Sequence, residues 1–94
     1  MSTIYEIVTY TVTDKDKAES SRKEARKVLS GYPGFVSWTC FSESGDGQHF
    51  VDLVEWDCFE NAKAAQDKFP EDPDMKALMS VLDQCLAMVH VRKV

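Results

Sequence analysis

The chain has 94 residues, a formal net charge of −5 and 44% hydrophobic residues. That length supports one domain, because two cores would each fall short of a self-supporting size. The composition excludes a disordered, collagen-like or disulfide-stapled chain, no apolar run approaches the ~20 residues of a membrane span, and the acidic balance argues against general nucleic-acid affinity.

The start MSTIYEIV lacks the basic stretch and apolar core of a signal peptide, so a cytoplasmic protein is expected. Cys40, Cys58 and Cys85 show no CxxC spacing and read as reduced thiols. His49 and His90 lie far apart, so no zinc spacing is present and no metal is expected.

Residues 3–12 alternate as a strand. Ile4, Glu6, Val8, Tyr10 and Val12 share one face; Tyr5, Ile7, Thr9 and Thr11 share the other. Thr13 or Asp14 can cap a helix over 15–29, whose apolar positions are Ala18, Ala25, Val28 and Leu29. Between Lys15 and Lys27 stand six bases and three acids, net +3, read as a solvated helix face. Between Glu43 and Asp83 stand eleven acids and three lysines, net −8. Gly31, Pro33 and Gly34 stop the helix. Residues 35–42 and 48–56 form a hairpin around the turn Glu43–Gly47. Strict alternation sets Phe35 and Phe41 against Val36, Trp38 and Cys40. Asp57 is the expected cap of a second helix carrying Phe59, Ala62, Ala65 and Phe69, which Pro70 and Pro73 end. Asp74 can cap a short third helix through Leu82, and residues 85–94 form the last strand. There Leu86, Met88, His90 and Arg92 oppose Cys85, Ala87, Val89 and Val91.

The order β-α-β-β-α-(α)-β predicts an α+β, ferredoxin-like antiparallel sheet in one domain spanning 1–94, with helices on one face. The helices cover only one side, yet both sides of the strands carry apolar residues. A second copy is the simplest cover, which predicts a homodimer meeting sheet to sheet.

The strings GFVSW (34–38), FVDLVEWDCFENAKAAQDKF (50–69) and DPDMKALM (72–79) resemble the antibiotic biosynthesis monooxygenase (ABM) domain family. The most specific part is Glu55-Trp56-Asp57, the alanine-bearing helix and Asp72-Pro73. The resemblance implies a dimeric α+β barrel with a pocket between sheet and helices in each subunit. Some members oxidise aromatic polyketides with O2 and neither metal nor flavin; others degrade haem; many have no known activity. The haem-degrading pattern needs an Asn, a Trp and a ligating His, where this chain has Val8, Ala65 and, allowing a short insertion, Met79. Haem is therefore not expected, since the iron has no evident ligand.

Three side chains are candidate bases for such an oxidation. Glu6 shares a face with Val8 and Tyr10, where desolvation would raise its pKa. His90 is on the neighbouring strand and can reach Glu6. Asp52 is a mid-strand acid between Phe50 and Val54, and it needs a partner if buried. Tyr10, Trp38, Trp56 and Met88 are the candidate lining for a small aromatic ligand. Cys40 has no base beside it in the sequence. The competing expectation is a binding or structural dimer without turnover.

Overall fold

Nine residues with apolar and β-branched alternation make the central strand, and everything else is arranged around it. A computed structural model describes residues 3–43 and 48–94. The order is β1 (Ile4–Val12), α1 (Lys15–Leu29), β2 (Phe35–Ser42), β3 (His49–Trp56), α2 (Phe59–Lys68), two 3₁₀ turns (Phe69–Glu71 and Pro73–Met75), α3 (Lys76–Val81) and β4 (Leu82–Val91). The sheet order is β2-β3-β1-β4, antiparallel throughout, as the ferredoxin-like expectation requires. The turn expected at Glu43–Gly47 falls largely outside the described residues. On its near side, the Glu43 amide donates to the His49 carbonyl at 2.9 Å.

The helix ends follow local chemistry with three departures. Asp14 caps α1 by accepting from the Lys17 amide at 3.0 Å. Cys58, not Asp57, is the N-cap of α2, and it makes no side-chain capping bond. The Asp57 carboxylate instead accepts from Asn61 Nδ2 at 2.9 Å. Asp72 rather than Asp74 opens the turn before α3: it accepts from the Asp74 amide at 2.9 Å and from the Tyr32 hydroxyl at 2.7 Å. β4 begins at Leu82, earlier than expected, because α3 ends at Val81 and passes straight into the strand.

Strict alternation fails where strands bulge. Phe35 and Ser37 face the adjacent β3 residues Trp56 and Glu55, so Val36 is the extra residue. That turns Phe35 to the helix side, edge-on to Trp56 at 5.8 Å, and leaves Val36 exposed. A second bulge, between Thr9 and Tyr10 in their pairing with β4, throws Leu86 outward while Met88 stays opposite Val8.

Gly34 ties the start of β2 to the start of α2. Its φ is +80°, and its carbonyl accepts from the Asp57 amide at 2.9 Å. A Cβ there would collide with the Asp57 carboxylate and would lie 2.7 Å from Asn61 Cβ. Gly34→Ala is therefore expected to cost at least about 2 kcal/mol, from backbone strain and overpacking together. A urea midpoint equal to wild type would contradict this.

The helix-side core includes Ile4, Tyr10, Val12, Trp38, Val54 and Trp56 from the sheet, under Ala18, Ala25, Leu29, Ala62, Met75 and Leu78. The other side of the sheet has no cover among the described residues. Its rows run Ser37–Glu55–Tyr5–Val91, Thr39–Leu53–Ile7–Val89 and Phe41–Val51–Thr9–Ala87. Phe41 is 51% exposed and Val89 47% exposed. The Cα radius of gyration is 12.9 Å, close to the roughly 12 Å expected for this length.

Candidate active site

The helix-facing side of the sheet carries its polar residues in adjacent rows. One row is Trp38–Val54–Glu6–His90, and the next is Cys40–Asp52–Val8–Met88. Glu6 and Asp52 thus stand diagonally across the β1–β3 ladder, each among apolar side chains.

Asp52 is buried, 9% exposed, and is the acceptor at the end of a chain of donors. The Tyr10 hydroxyl donates to Asp52 Oδ1 at 3.0 Å. Arg22 Nη2 donates to the same hydroxyl at 3.1 Å. The Cys40 sulfur lies 3.9 Å from that oxygen. Burial raises the Asp52 pKa above the ordinary carboxylate value, and the surrounding donors offset this only in part. Burial beside Asp52 also pushes the Tyr10 phenol up, so it stays protonated and remains a donor. Burial, followed by the Asp52 charge, takes the Cys40 thiol to about 11. Cys40 is thus a neutral thiol at physiological pH and not a nucleophile.

Glu6 and His90 face each other across β1 and β4, with Nε2 to Oε1 at 3.5 Å and both side chains largely buried. Phe59 stands edge-on to the imidazole at 5.7 Å. Burial raises the Glu6 pKa, and His90 acts against that rise. His49, at the hairpin, instead meets Glu43 at 3.2 Å.

Two open cavities run along α1 where it overhangs β2 and β3. The smaller, about 300 Å³, is lined by Lys15, Glu19, Arg22, Cys40, Ser42 and Phe50. The larger, about 520 Å³, is an open hollow lined by α1 residues and Ser30 alone, and it shares Glu19 and Arg22 with the smaller. Arg22, Cys40 and Phe50 separate the smaller cavity from Tyr10 and Asp52 behind them. Trp38, Trp56, Met88, Glu6 and His90 line neither of these cavities. Trp38 and Trp56 are buried; their indole N–H groups act on Asp52 and Glu6 respectively, without a hydrogen bond of full geometry among the described residues.

Sequence reasoning missed Arg22. Placed among the solvated charges of the first helix, it is 9% exposed, with its guanidinium 4.7 Å from the centre of the Phe50 ring. One signal was available: position 22 lies four residues after Ala18 and three before Ala25, on the apolar stripe. Cys40 was passed over because its neighbours Tyr10 and Asp52 come from other strands.

The raised carboxylates set the sign of a pH effect. A group whose folded pKa is raised contributes stability below its unfolded pKa, and that stability is lost as pH rises through the folded value. Asp52 and Glu6 should therefore disfavour the folded state progressively above pH 3.8 and 4.5, their ordinary values. Asp57 and Asp72, whose pKa values are lowered by hydrogen bonds from Asn61 and Tyr32, act in the opposite sense. The difference in urea midpoint between Glu6→Gln and wild type is expected to move in favour of the variant between pH 4 and 7. A pH-independent difference would contradict this.

The fold has clear counterparts among solved structures. A Bordetella bronchiseptica protein assigned as an antibiotic biosynthesis monooxygenase superposes with a TM-score of 0.83 and 19% identity, over 100% of this chain and 99% of its own. SnoaB, a cofactor-independent oxygenase from Streptomyces nogalater, gives 0.77 and 18%, over 100% and 93%. A dimeric ferredoxin-like protein from an uncultured marine organism gives 0.67 and 13%, over 100% and 90%. This chain shares the ferredoxin-like fold of these structures. The likeness read from the strings at 34–38, 50–69 and 72–79 is thus met by the three-dimensional arrangement. No family model and no curated protein matches the sequence. Among the described residues, no helix is long and apolar enough to cross a membrane.

Proposed function

We propose that this protein is an ABM-like oxygenase, a homodimer that oxidises a small aromatic, polyketide-like substrate with O2 and without a cofactor. The observation that carries the reading is Asp52: a buried carboxylate of raised pKa, held by Tyr10, one side chain in from the cavity, which a substrate reaches when the Cys40 and Phe50 side chains turn aside. A base of this kind can take a proton from an activated C–H next to a phenol, as in an anthrone. The proton goes to the carboxylate, and the carbanion gives its electron pair to O2 as a C–O bond forms. The O–O bond then breaks, water leaves with the methylene hydrogens, and a ring carbonyl remains. The fold shared with SnoaB, a cofactor-independent oxygenase, supports this class of reaction.

The test is incubation with hydroxylated anthrones under air and under argon, following oxygen uptake and product mass. Product gaining one oxygen atom in air alone is expected; no oxygen-dependent product rejects the reading.

Support for the homodimer comes from the uncovered sheet face and from the dimeric protein that shares this fold. Two such faces packed together would bury Phe41, Leu53, Ile7 and Val89. The double variant Phe41→Glu/Val89→Glu is expected to elute at monomer mass while wild type elutes as a dimer. A monomeric wild type at micromolar concentration overturns the assembly.

A further inference from the structure

The basic face of α1 is explained by neither the fold nor the proposed base. Lys15, Arg22, Lys23, Arg26 and Lys27 line the two neighbouring cavities, against one lining acid, Glu19, and only Lys27 among them is ion-paired, with Glu24 at 3.4 Å, among the described residues. This concentration of positive charge sits on a chain whose net charge is −5. A solvated helix face would leave its cations free to move, yet two of these are fixed on aromatic rings. The Arg22 guanidinium lies 4.7 Å from the Phe50 centroid, and that of Arg26 lies 5.4 Å from the Trp38 centroid. A guanidinium lying over a ring keeps N–H edges for an acceptor in its own plane.

Arg22 adds the decisive detail. It is 9% exposed, and its only hydrogen bond among the described residues goes to the neutral Tyr10 hydroxyl. Its Nε is buried without a partner, and it forms no ion pair among the described residues. Burying a guanidinium with no directly bound anion is unfavourable, and an anion in the groove that reached its exposed edge would offset this.

We propose that this groove binds the carboxylate of a planar aromatic acid, received by Arg22 and Arg26, with the ring against Cys40 and the edge of Phe50. The choice of an aromatic acid as ligand rests on the oxygenase reading above; the preference for an anion rests on the groove alone. The arrangement would place the ring against the wall formed by Arg22, Cys40 and Phe50, with Asp52 behind it. The carboxylate would then fix orientation while the ring supplies buried apolar area.

Titration calorimetry with hydroxynaphthoate and its uncharged carboxamide tests this on the intact protein. Wild type is expected to bind the acid on the order of tenfold more tightly than the amide. Added salt should weaken binding of the acid and leave the amide unchanged. Arg26 is exposed, so Arg26→Gln should fold normally and lose most of the preference. Arg22→Gln should lose it as well, with circular dichroism checking that the variant is folded. Equal affinities for acid and amide, no binding of either, or a preference that survives in Arg26→Gln would each overturn the proposal. Tight acid binding without oxygen-dependent turnover would leave the anion site standing and remove the oxygenase reading.

Discussion

Asp52→Asn is expected to lower oxygen-dependent turnover by roughly 10²–10⁴-fold, the usual contribution of a positioned general base. The amide keeps an acceptor for the Tyr10 hydroxyl, so the hydrogen-bonded chain from Arg22 can survive. What it loses is the ability to take a proton. In wild type the rate should rise with pH through the raised Asp52 pKa, because only the carboxylate is active. In the variant that limb should disappear. Stability should move the other way: the desolvation of a charged Asp52 above its folded pKa is absent from the amide, so the variant should be no less stable than wild type near pH 7. A variant with wild-type turnover would reject Asp52 as the base. Glu6→Gln and His90→Ala would then decide whether the neighbouring pair, 3.5 Å apart, carries the reaction.

The largest stability effect is expected at Trp56. Its side chain is 1% exposed and faces Ile4 on one strand and Phe35 on the other. Trp56→Ala removes the edge-on contact with Phe35 and leaves a cavity that the sheet cannot close, a loss of about 3–5 kcal/mol. A domain of this length has on the order of 5–14 kcal/mol in total, so the variant should be partly unfolded at 37 °C. Trp56→Phe should cost much less, because it keeps a ring in the site against Phe35. Urea denaturation of the two variants reads the contrast directly. Equal midpoints would show that the cavity does not dominate.

Much of this was legible along the chain, and for local reasons. The alternation of Ile4, Val8, Tyr10 and Val12 requires a strand with one buried face, because successive side chains point to opposite sides. Asp14 before a run with helical spacing, and Gly31 and Pro33 after it, set the limits of α1. The pairing of Glu6 with His90 followed from strand order once the topology was recognised. Val36 and Leu86 were misread because a bulge is one residue of slack in a ladder, set by the partner strand and invisible to a period of two. Asp57 was misread as a cap because its carboxylate is taken up by Asn61 beside Gly34.

Length and charge set the scale: one domain, too short for two cores, acidic overall. The sequence by itself determined the element order, the ferredoxin-like class and the apolar character of both sheet faces, because these depend on periodicity within single segments. Only the tertiary structure decided the site. Tyr10, Arg22, Cys40 and Asp52 come from four different elements and meet through register and packing. The charge also changed meaning in three dimensions. The basic run in α1 is not evenly solvated: the helix turns Arg22 inward onto Tyr10 and leaves its neighbours along a groove, because position 22 falls on the apolar stripe between Ala18 and Ala25.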